Sequence, residues 1–152
     1  MAKWDFGDGM SEYLKELEKM QTEATPIIKK AVWAGGRVVA DAFESAIAAI
    51  PSVVISDVQR DGLQEGLGLA KMKNENGYIH TKVGFVGYNN DNRYKNPNAR
   101  WRANSFVARR VVSGTSGVPA YDFVRKATNQ CKAASEKAMA DQFDQEIQKI
   151  MR

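Results

Sequence analysis

The sequence feature that most constrains the fold is a helical run bounded by two prolines, Pro26 and Pro51. Apolar and small side chains recur along it at helical spacing, which predicts one apolar face on a helix of about 25 residues, roughly 38 Å long. Gly35 and Gly36 stand in its middle, and each costs about 1 kcal/mol relative to alanine in a helix. We expect the close approach of another backbone to offset that cost, with a tolerated kink as the alternative.

The start of this helix is predicted at Pro26, with Thr25 as its cap, because a proline in the first helical position loses no hydrogen bond. A separate, shorter helix is expected before it, since apolar residues recur there at spacings of three and four. They are Met10, Tyr13, Leu14, Leu17 and Met20. Residues 1–10 are expected to form a flexible N-terminal lead.

A β-hairpin is predicted in the middle of the chain. The β-branched and polar stretch after Pro51 ends at Asp61-Gly62, which is a turn signal. Residues 67–73 and 78–87 then face each other across a four-residue connection containing Asn76-Gly77. Alternation in the second strand predicts one shared face for four side chains. They are Ile79, Thr81, Val83 and Phe85.

The second half of the chain predicts a loop, a short helix and a long helix. Residues 88–98 hold five asparagines and a proline, a composition typical of a loop. Residues 99–112 are expected to contain a short helix with Phe106 and Val107 facing inward. A long helix over residues 121–150 is expected to close the chain. Its predicted inner face comprises Tyr121, Val124, Ala127, Cys131, Ala134, Ala138, Phe143, Ile147 and Ile150.

These elements predict an α+β fold. Long helices pack on a small antiparallel β-sheet with a β-hairpin, and the chain ends in a long C-terminal helix. The 152 residues correspond to a single domain, with residues 88–103 as a projecting loop or arm. Because no apolar run reaches 18 residues, no membrane-spanning segment is expected. The lone cysteine, Cys131, cannot form an internal disulfide, and we interpret it as a small buried hydrophobic residue.

One segment makes the whole chain basic. Residues 93–110 contain six basic side chains and no acidic one, whereas the whole chain has 22 basic and 18 acidic residues. The candidate contact residues in and beside the arm are Arg93, Tyr94, Lys95, Arg100, Trp101 and Arg102. Cations interleaved with aromatic rings can bind a phosphate backbone and stack on bases. The same residue types are also those that protein interfaces favour, so a subunit contact, a DNA contact and an idle loop all remain open.

A loop with two glycines, Ser113-Gly114-Thr115-Ser116-Gly117, has three possible functions: phosphate binding, a nucleophilic serine, or a turn. A P-loop requires a lysine after its second glycine, and a hydrolase elbow requires G-x-S-x-G; neither pattern is present. His80 is the only histidine available for a triad and is expected to be an exposed strand residue. We therefore interpret the loop as a turn that ends one element and begins the last helix.

The residues expected to determine this turn and anchor the last helix are Gly114, Thr115, Gly117, Pro119, Phe123 and Val124. Two glycines allow positive φ, and a proline keeps the residue before it out of the helical region. The acidic residues are scattered over helical faces among lysines, so no carboxylate pair for acid–base catalysis and no metal-ligand cluster stands out. We expect no catalytic residue, no metal and no cofactor.

The order of these motifs resembles the tailed-phage head–tail joining family, the neck or tail-component proteins related to lambda minor tail protein Z. The resemblance is carried by the proline-bounded helix at residues 26–51, a G-x-L segment (Gly62-Leu63-Gln64 or Gly66-Leu67) and the strand "TKVGFVGY" at residues 81–88. It is also carried by "VVSGTSGVPAYDFVRKA". The matching positions there are Gly114, Thr115, Ser116, Pro119, Phe123, Val124 and Ala127. The family's acidic residue before Gly-Thr is replaced here by Val112-Ser113.

The resemblance covers roughly residues 20–150 and implies a structural virion protein rather than an enzyme. Such proteins act in head–tail joining or tail completion as oligomers, with a ring as the expected form. The implied neighbours are a connector or head-closure protein on one side and a tail-completion or tail tube protein on the other, with incidental contact to packaged DNA. The implied location is the virion neck or tail, and the host cytoplasm during assembly. The alternative is a small DNA-binding protein that uses residues 93–110.

Overall fold

The described part of the chain forms four helices and six short strands. The computed structural model describes residues 8–91, 95, 96, 98 and 101–152, and the backbone alone at residues 8–11, 13 and 14. The helices are α1 (Asp8–Ala48), α2 (Asp57–Gly66), α3 (Asn104–Ser113) and α4 (Phe123–Ile150). The strands are β1 (Leu67–Leu69), β2 (Lys73–Glu75), β3 (Tyr78–His80), β4 (Val83–Phe85), β5 (Tyr88–Asn90) and β6 (Trp101–Ala103). This arrangement confirms the predicted α+β class.

Helix α1 is one continuous helix of 41 residues, with Pro26 inside it. The prediction of two helices, the second beginning at Pro26, was therefore wrong, and so was the prediction that residues 8–10 belong to a flexible lead; residues 1–7 lie outside the described part. Pro26 removes the hydrogen bond to the carbonyl of Thr22. Thr22 is exposed, so water can bond that carbonyl, and the helix continues through the proline.

Helices α1 and α4 pack antiparallel. Lys30 of α1 pairs with Glu146 of α4, whereas Phe43, further along α1, contacts Phe123 at the start of α4. The prediction of close packing at the mid-helix glycines is confirmed. The Ser135 hydroxyl donates a 3.1 Å hydrogen bond to the carbonyl of Gly35, which only a close backbone approach allows.

The predicted hairpin is present as two short ladders. β2 pairs with β3, and further from the turn β1 pairs with β4, both antiparallel. The turn is tighter than predicted, because Asn76-Gly77 alone connects β2 to β3. Both residues have positive φ, 54° and 86°, the combination that a two-residue turn matching the strand twist requires.

The stretch after Pro51 forms helix α2, not an extended segment. Ser56 caps this helix: its hydroxyl accepts from the Gln59 backbone amide, and the Gln59 side chain accepts from the Ser56 amide. This reciprocal pair is a capping box, and it satisfies two donors that the first turn leaves free. Ser56 and Gln59 have the spacing of a capping box in the sequence. The β-branched residues before them nevertheless led to the prediction of an extended segment.

The core lies where the four helices meet, and the hairpin packs against it. Phe123 is fully buried, and its ring contacts those of Phe43 and Phe85 edge-on, with centroids 6.3 and 6.1 Å apart. Ile47 and Leu63 are also fully buried in the same cluster. Phe123, predicted as an anchor of the last helix, lies fully buried in this cluster.

Two faces predicted from periodicity need correction. In α3, Val107 is buried as expected, but Phe106 is 48% exposed. In α4, Ala134 and Phe143 are exposed, whereas Ser135 and Glu146 are buried. The buried positions Ala127, Cys131 and Ser135 recur every four residues along α4.

Candidate interaction surface

The predicted arm is based on a second antiparallel hairpin. Tyr88 pairs with Ala103 and Asn90 pairs with Trp101, so these four residues share one face of the β5–β6 ladder. Tyr88 is 70% exposed and Trp101 is 62% exposed on that face. The prediction of a loop over residues 88–98 was therefore wrong for its first three residues, which form β5.

Asn89 points to the opposite face of the ladder and belongs to a buried polar network. Asn89 is buried, and its side-chain amide donates a 3.0 Å hydrogen bond to the Asn104 Oδ1. The Asn104 amide in turn donates 2.8 Å to the carbonyl of Val86. Buried amides hydrogen-bonded in this way fix the hairpin base in one position.

Two glycines of α2 make room for this network. A Cβ added to Gly62 would lie 2.7 Å from the Asn89 Cβ, and one added to Gly66 would clash with the Val86 carbonyl. The helix therefore approaches the asparagines closely. The prediction of a chain turn at Asp61-Gly62 was therefore wrong. The two residues lie inside helix α2, where the glycine allows close packing.

Asp91 ties the start of the arm to the same helix. It is fully buried, and its carboxylate accepts a 3.3 Å hydrogen bond from the hydroxyl of Ser56, the capping residue of α2. Together with the two asparagines, this contact holds the arm base rigidly against the body.

The outer side of the hairpin and helix α3 form an aromatic and cationic surface. Trp101 and Phe106 line a shallow cavity of about 360 Å³, together with Asn98 and the Arg102 side chain. The guanidinium carbons of Arg102 and Arg110 lie 5.8 and 6.0 Å from the centroid of the Phe106 ring, within cation–π distance. We call this the arm surface, formed by Tyr88, Trp101, Arg102, Phe106 and Arg110.

The candidate contact residues from the sequence fall partly on this surface. Trp101 is exposed in β6, Arg102 is half-buried beside it, and Lys95 is exposed. Arg93, Tyr94 and Arg100 lie outside the described residues. The sequence reasoning missed Phe106 as a surface residue, because its spacing in α3 also fits an inward position.

The Gly-Thr-Ser loop is a tight turn. The Thr115 amide donates a 2.9 Å hydrogen bond to the Val118 carbonyl, and the Val118 amide donates a 3.2 Å bond to the Thr115 carbonyl. The two bonds enclose Ser116-Gly117. Gly114 has a φ of 71°, whereas Gly117 has no positive φ, so only one of the two predicted glycines uses this freedom.

Beyond the turn the chain returns to α3 and starts α4. The Tyr121 amide donates to the Val111 carbonyl at 2.8 Å, and Asp122 caps α4 by accepting from the Arg125 amide at 3.0 Å. Asp122 is thus the capping residue of α4. Pro119 is exposed, and Val124 packs beside the core that Phe123 anchors.

His80 is half-buried rather than exposed as predicted. Its ring stacks on Tyr78 with centroids 5.4 Å apart, and its Nδ1 is buried without a hydrogen-bond partner among the described residues. Within the same part of the chain, no group of three or more histidine, cysteine, aspartate or glutamate side chains is placed to hold a metal ion. None of the helices in the described ranges is long and apolar enough to cross a membrane.

One charged group is buried between the long helices. The Glu146 carboxylate accepts 2.6 Å hydrogen bonds from the ammonium groups of Lys149 and Lys30. These bonds, the one from Lys149 first, lower the pKa of Glu146 from 4.5 to about 2. The Lys30–Glu146 ion pair therefore links α1 to the last turns of α4.

Comparison with known proteins gives no neighbour: no protein-family model, no curated protein and no solved structure matches the chain significantly.

Proposed function

We propose that the chain is a structural protein of a phage or prophage virion, which acts at the neck in head–tail joining or tail completion. The proposal rests on the resemblance of its motifs to the head–tail joining family and on one feature of the molecule, the arm surface. In this proposal the protein works as an oligomer, with a ring as the expected form, and contacts a connector or head-closure protein and a tail-completion or tail tube protein. Its place is the neck or tail, after assembly in the host cytoplasm.

The arm surface has the composition of a protein-binding site. Exposed Trp101 and Tyr88 offer large, stiff rings, and aromatic and arginine side chains contribute most of the binding energy in typical interfaces. The buried asparagine network holds these rings on a fixed base, so little conformational entropy is lost when a partner binds. These features favour a role in assembly.

The second candidate function is DNA binding through the same segment. Arg102 and Arg110 give this side of the molecule a positive charge, and exposed rings can stack on bases. A protein partner is favoured because two of the guanidinium groups, those of Arg102 and Arg110, already lie against the Phe106 ring. In this arrangement the two guanidinium groups lie flat and partly desolvated on the protein surface. They do not extend into solvent as cations that would reach a phosphate backbone.

A head–tail joining assay tests the proposal. Phage lacking this protein should accumulate separate heads and tails, and adding the purified protein should restore infectious particles. The double variant Tyr88→Ala with Trp101→Ala should lose most of this activity while keeping its fold, because it removes the exposed rings and leaves the asparagine network in place. Tyr78→Ala, an equally exposed ring on the other hairpin, is the matched control and should restore joining.

Two results would contradict the proposal. One is failure of the wild-type protein to restore joining in particles that lack only this chain. The other is tight binding to duplex DNA whose affinity falls steeply with salt and is lost in the double variant, since that would favour the DNA-binding alternative.

A further inference from the structure

The first part of α1 extends beyond the rest of the helical pair. Lys30 lies opposite Glu146, four residues before α4 ends at Ile150, so α1 residues before about position 26 have no α4 residue opposite them. Ile27 is the first buried residue of α1 among those whose side chains are described. Residues 8–25, which we call the overhang, thus project by about 27 Å at 1.5 Å per residue.

The overhang is an acidic, amphipathic helix. Its sequence contains five acidic residues and two lysines. Leu17 is 42% exposed and Met20 is half-buried, and both lie on the face that continues the α4-packed side of α1. That face has no partner from α4, although its residues belong to the apolar stripe of the sequence. An apolar helical face of this kind is stabilised when another surface covers it.

A complementary groove lies further along α1. Trp33 is 41% exposed, and with Ala34, Met72 and the stems of Lys29 and Arg37 it lines a groove of about 360 Å³. Residues 26–37 contain three basic side chains and no acidic one. Lys30 is paired with Glu146, whereas Lys29 and Arg37 have no carboxylate within 4 Å in the described part of the chain. The groove is therefore apolar at its centre and positive at its rim.

We propose that the overhang of one copy of this chain docks in the Trp33 groove of the next copy. Leu17 and Met20 would cover the Trp33 ring, and the acidic residues beside them would face Lys29 and Arg37. The acidic and basic segments of one helix supply the charge complementarity, so a second copy matches both surfaces at once. For its biological meaning, as the contact between ring subunits, this interface rests on the function proposed above.

The positions of the two surfaces determine the kind of assembly. Leu17 and Trp33 are 16 residues apart, which places them about 160° apart around the helix at about 100° per residue. Surfaces on opposite sides of α1 cannot both be used between the same two copies. The contact is therefore head-to-tail, and such contacts build a ring when the rotation closes and a filament when it does not.

A charge-exchange experiment on the full-length protein tests the interface. The overhang variant carries Glu16→Lys and Glu23→Lys, and the groove variant carries Lys29→Glu and Arg37→Glu. Each alone sets like charges against each other and should weaken self-association at least tenfold relative to wild type. In an equimolar mixture, alternating copies of the two variants meet opposite charges at each junction, so self-association should recover in light scattering or sedimentation velocity.

The mixture separates a specific interface from general damage, because two misfolded variants do not rescue one another. Arg125→Glu with Lys132→Glu, on the exposed side of α4, is the matched charge control and should associate like wild type. The proposal is overturned if the wild-type protein stays monomeric, if the single-surface variants associate normally, or if the mixture of folded variants fails to recover.

Failure of this interface and failure of the proposed function have different signatures. If joining of heads and tails is restored by a variant that no longer self-associates, the interface is wrong and the neck function stands. If the charge exchange behaves as expected but wild-type protein never restores joining, the interface stands and the neck function is wrong.

Discussion

Replacing Gly114 with alanine should destabilise the protein strongly, whereas the same change at Gly117 should not. Both glycines belong to the loop that carries the strongest family resemblance. They differ in backbone conformation, because Gly114 has φ 71° and ψ 179° and Gly117 has no positive φ. They also differ in surroundings. A Cβ on Gly114 would lie 2.8 Å from the backbone nitrogen of Ala120, and one on Gly117 would meet no atom within 4 Å.

The size of the effect follows from these two differences. A non-glycine residue held in the Gly114 conformation costs about 1–3 kcal/mol. The contacts with Ala120 are with backbone, so the turn between α3 and α4 must shift as well, and we expect a total loss of about 3 kcal/mol. At Gly117 alanine restricts the unfolded chain and should change stability by about 0.4–1 kcal/mol in the favourable direction.

Urea unfolding followed by circular dichroism measures both free energies, provided that the transition is two-state. For a chain of this length, about 3 kcal/mol corresponds to a fall in Tm of roughly 6–12 °C. Gly117→Ala is the control within the same loop. If the two variants unfold within about 0.5 kcal/mol of each other, a scatter typical of surface substitutions, the structural account of this turn is wrong.

Three further predictions concern the core, the arm base and the buried ion pair. Phe123→Ala should cost about 3–5 kcal/mol in urea unfolding, whereas Phe143→Ala, on the exposed side of α4, should cost about 0.5 kcal/mol. Asn104→Ala should cost about 1–3 kcal/mol, because it leaves the buried Asn89 amide unpaired; amide hydrogen exchange in β5 and β6 should then accelerate. The lowered pKa of Glu146 stabilises the fold above pH 4.5, and this contribution is lost as pH falls to about 2. Glu146→Gln should therefore flatten the fall in stability between pH 4.5 and 2 when urea unfolding is repeated across this range.

Helical and turn features that carry a strong local sequence signal were predictable from the sequence. The mid-helix glycines predicted close packing, and the Ser135–Gly35 hydrogen bond confirms it. Asn76-Gly77 predicted the hairpin turn, since few dipeptides tolerate two successive positive φ angles. Phe123 was predicted as a core anchor because it follows a proline-bearing turn at the start of an apolar stripe, and it is fully buried.

Features that depend on distant contacts were decided only by the tertiary structure. The sequence around Pro26 looks the same whether the proline starts a helix or lies within one. The helix continues here because the Thr22 carbonyl, which loses its hydrogen bond to Pro26, belongs to an exposed residue and can bond to water. The asparagine-rich segment resembles a loop, but β5 forms because Asn89 finds a buried partner in Asn104, 15 residues away. Glycine at position 62 can signal a turn, but here its lack of a side chain lets Asn89 pack closely against α2.

For the candidate surfaces, charge was predictable from the sequence, whereas exposure was not. The sequence alone determined that residues 93–110 are basic and that the start of α1 is acidic, because charge is a property of composition. Only the tertiary structure decided that Phe106 faces outward beside Trp101, and that the overhang extends past the end of α4. Exposure depends on which elements end and pack nearby, and a local pattern does not contain that information.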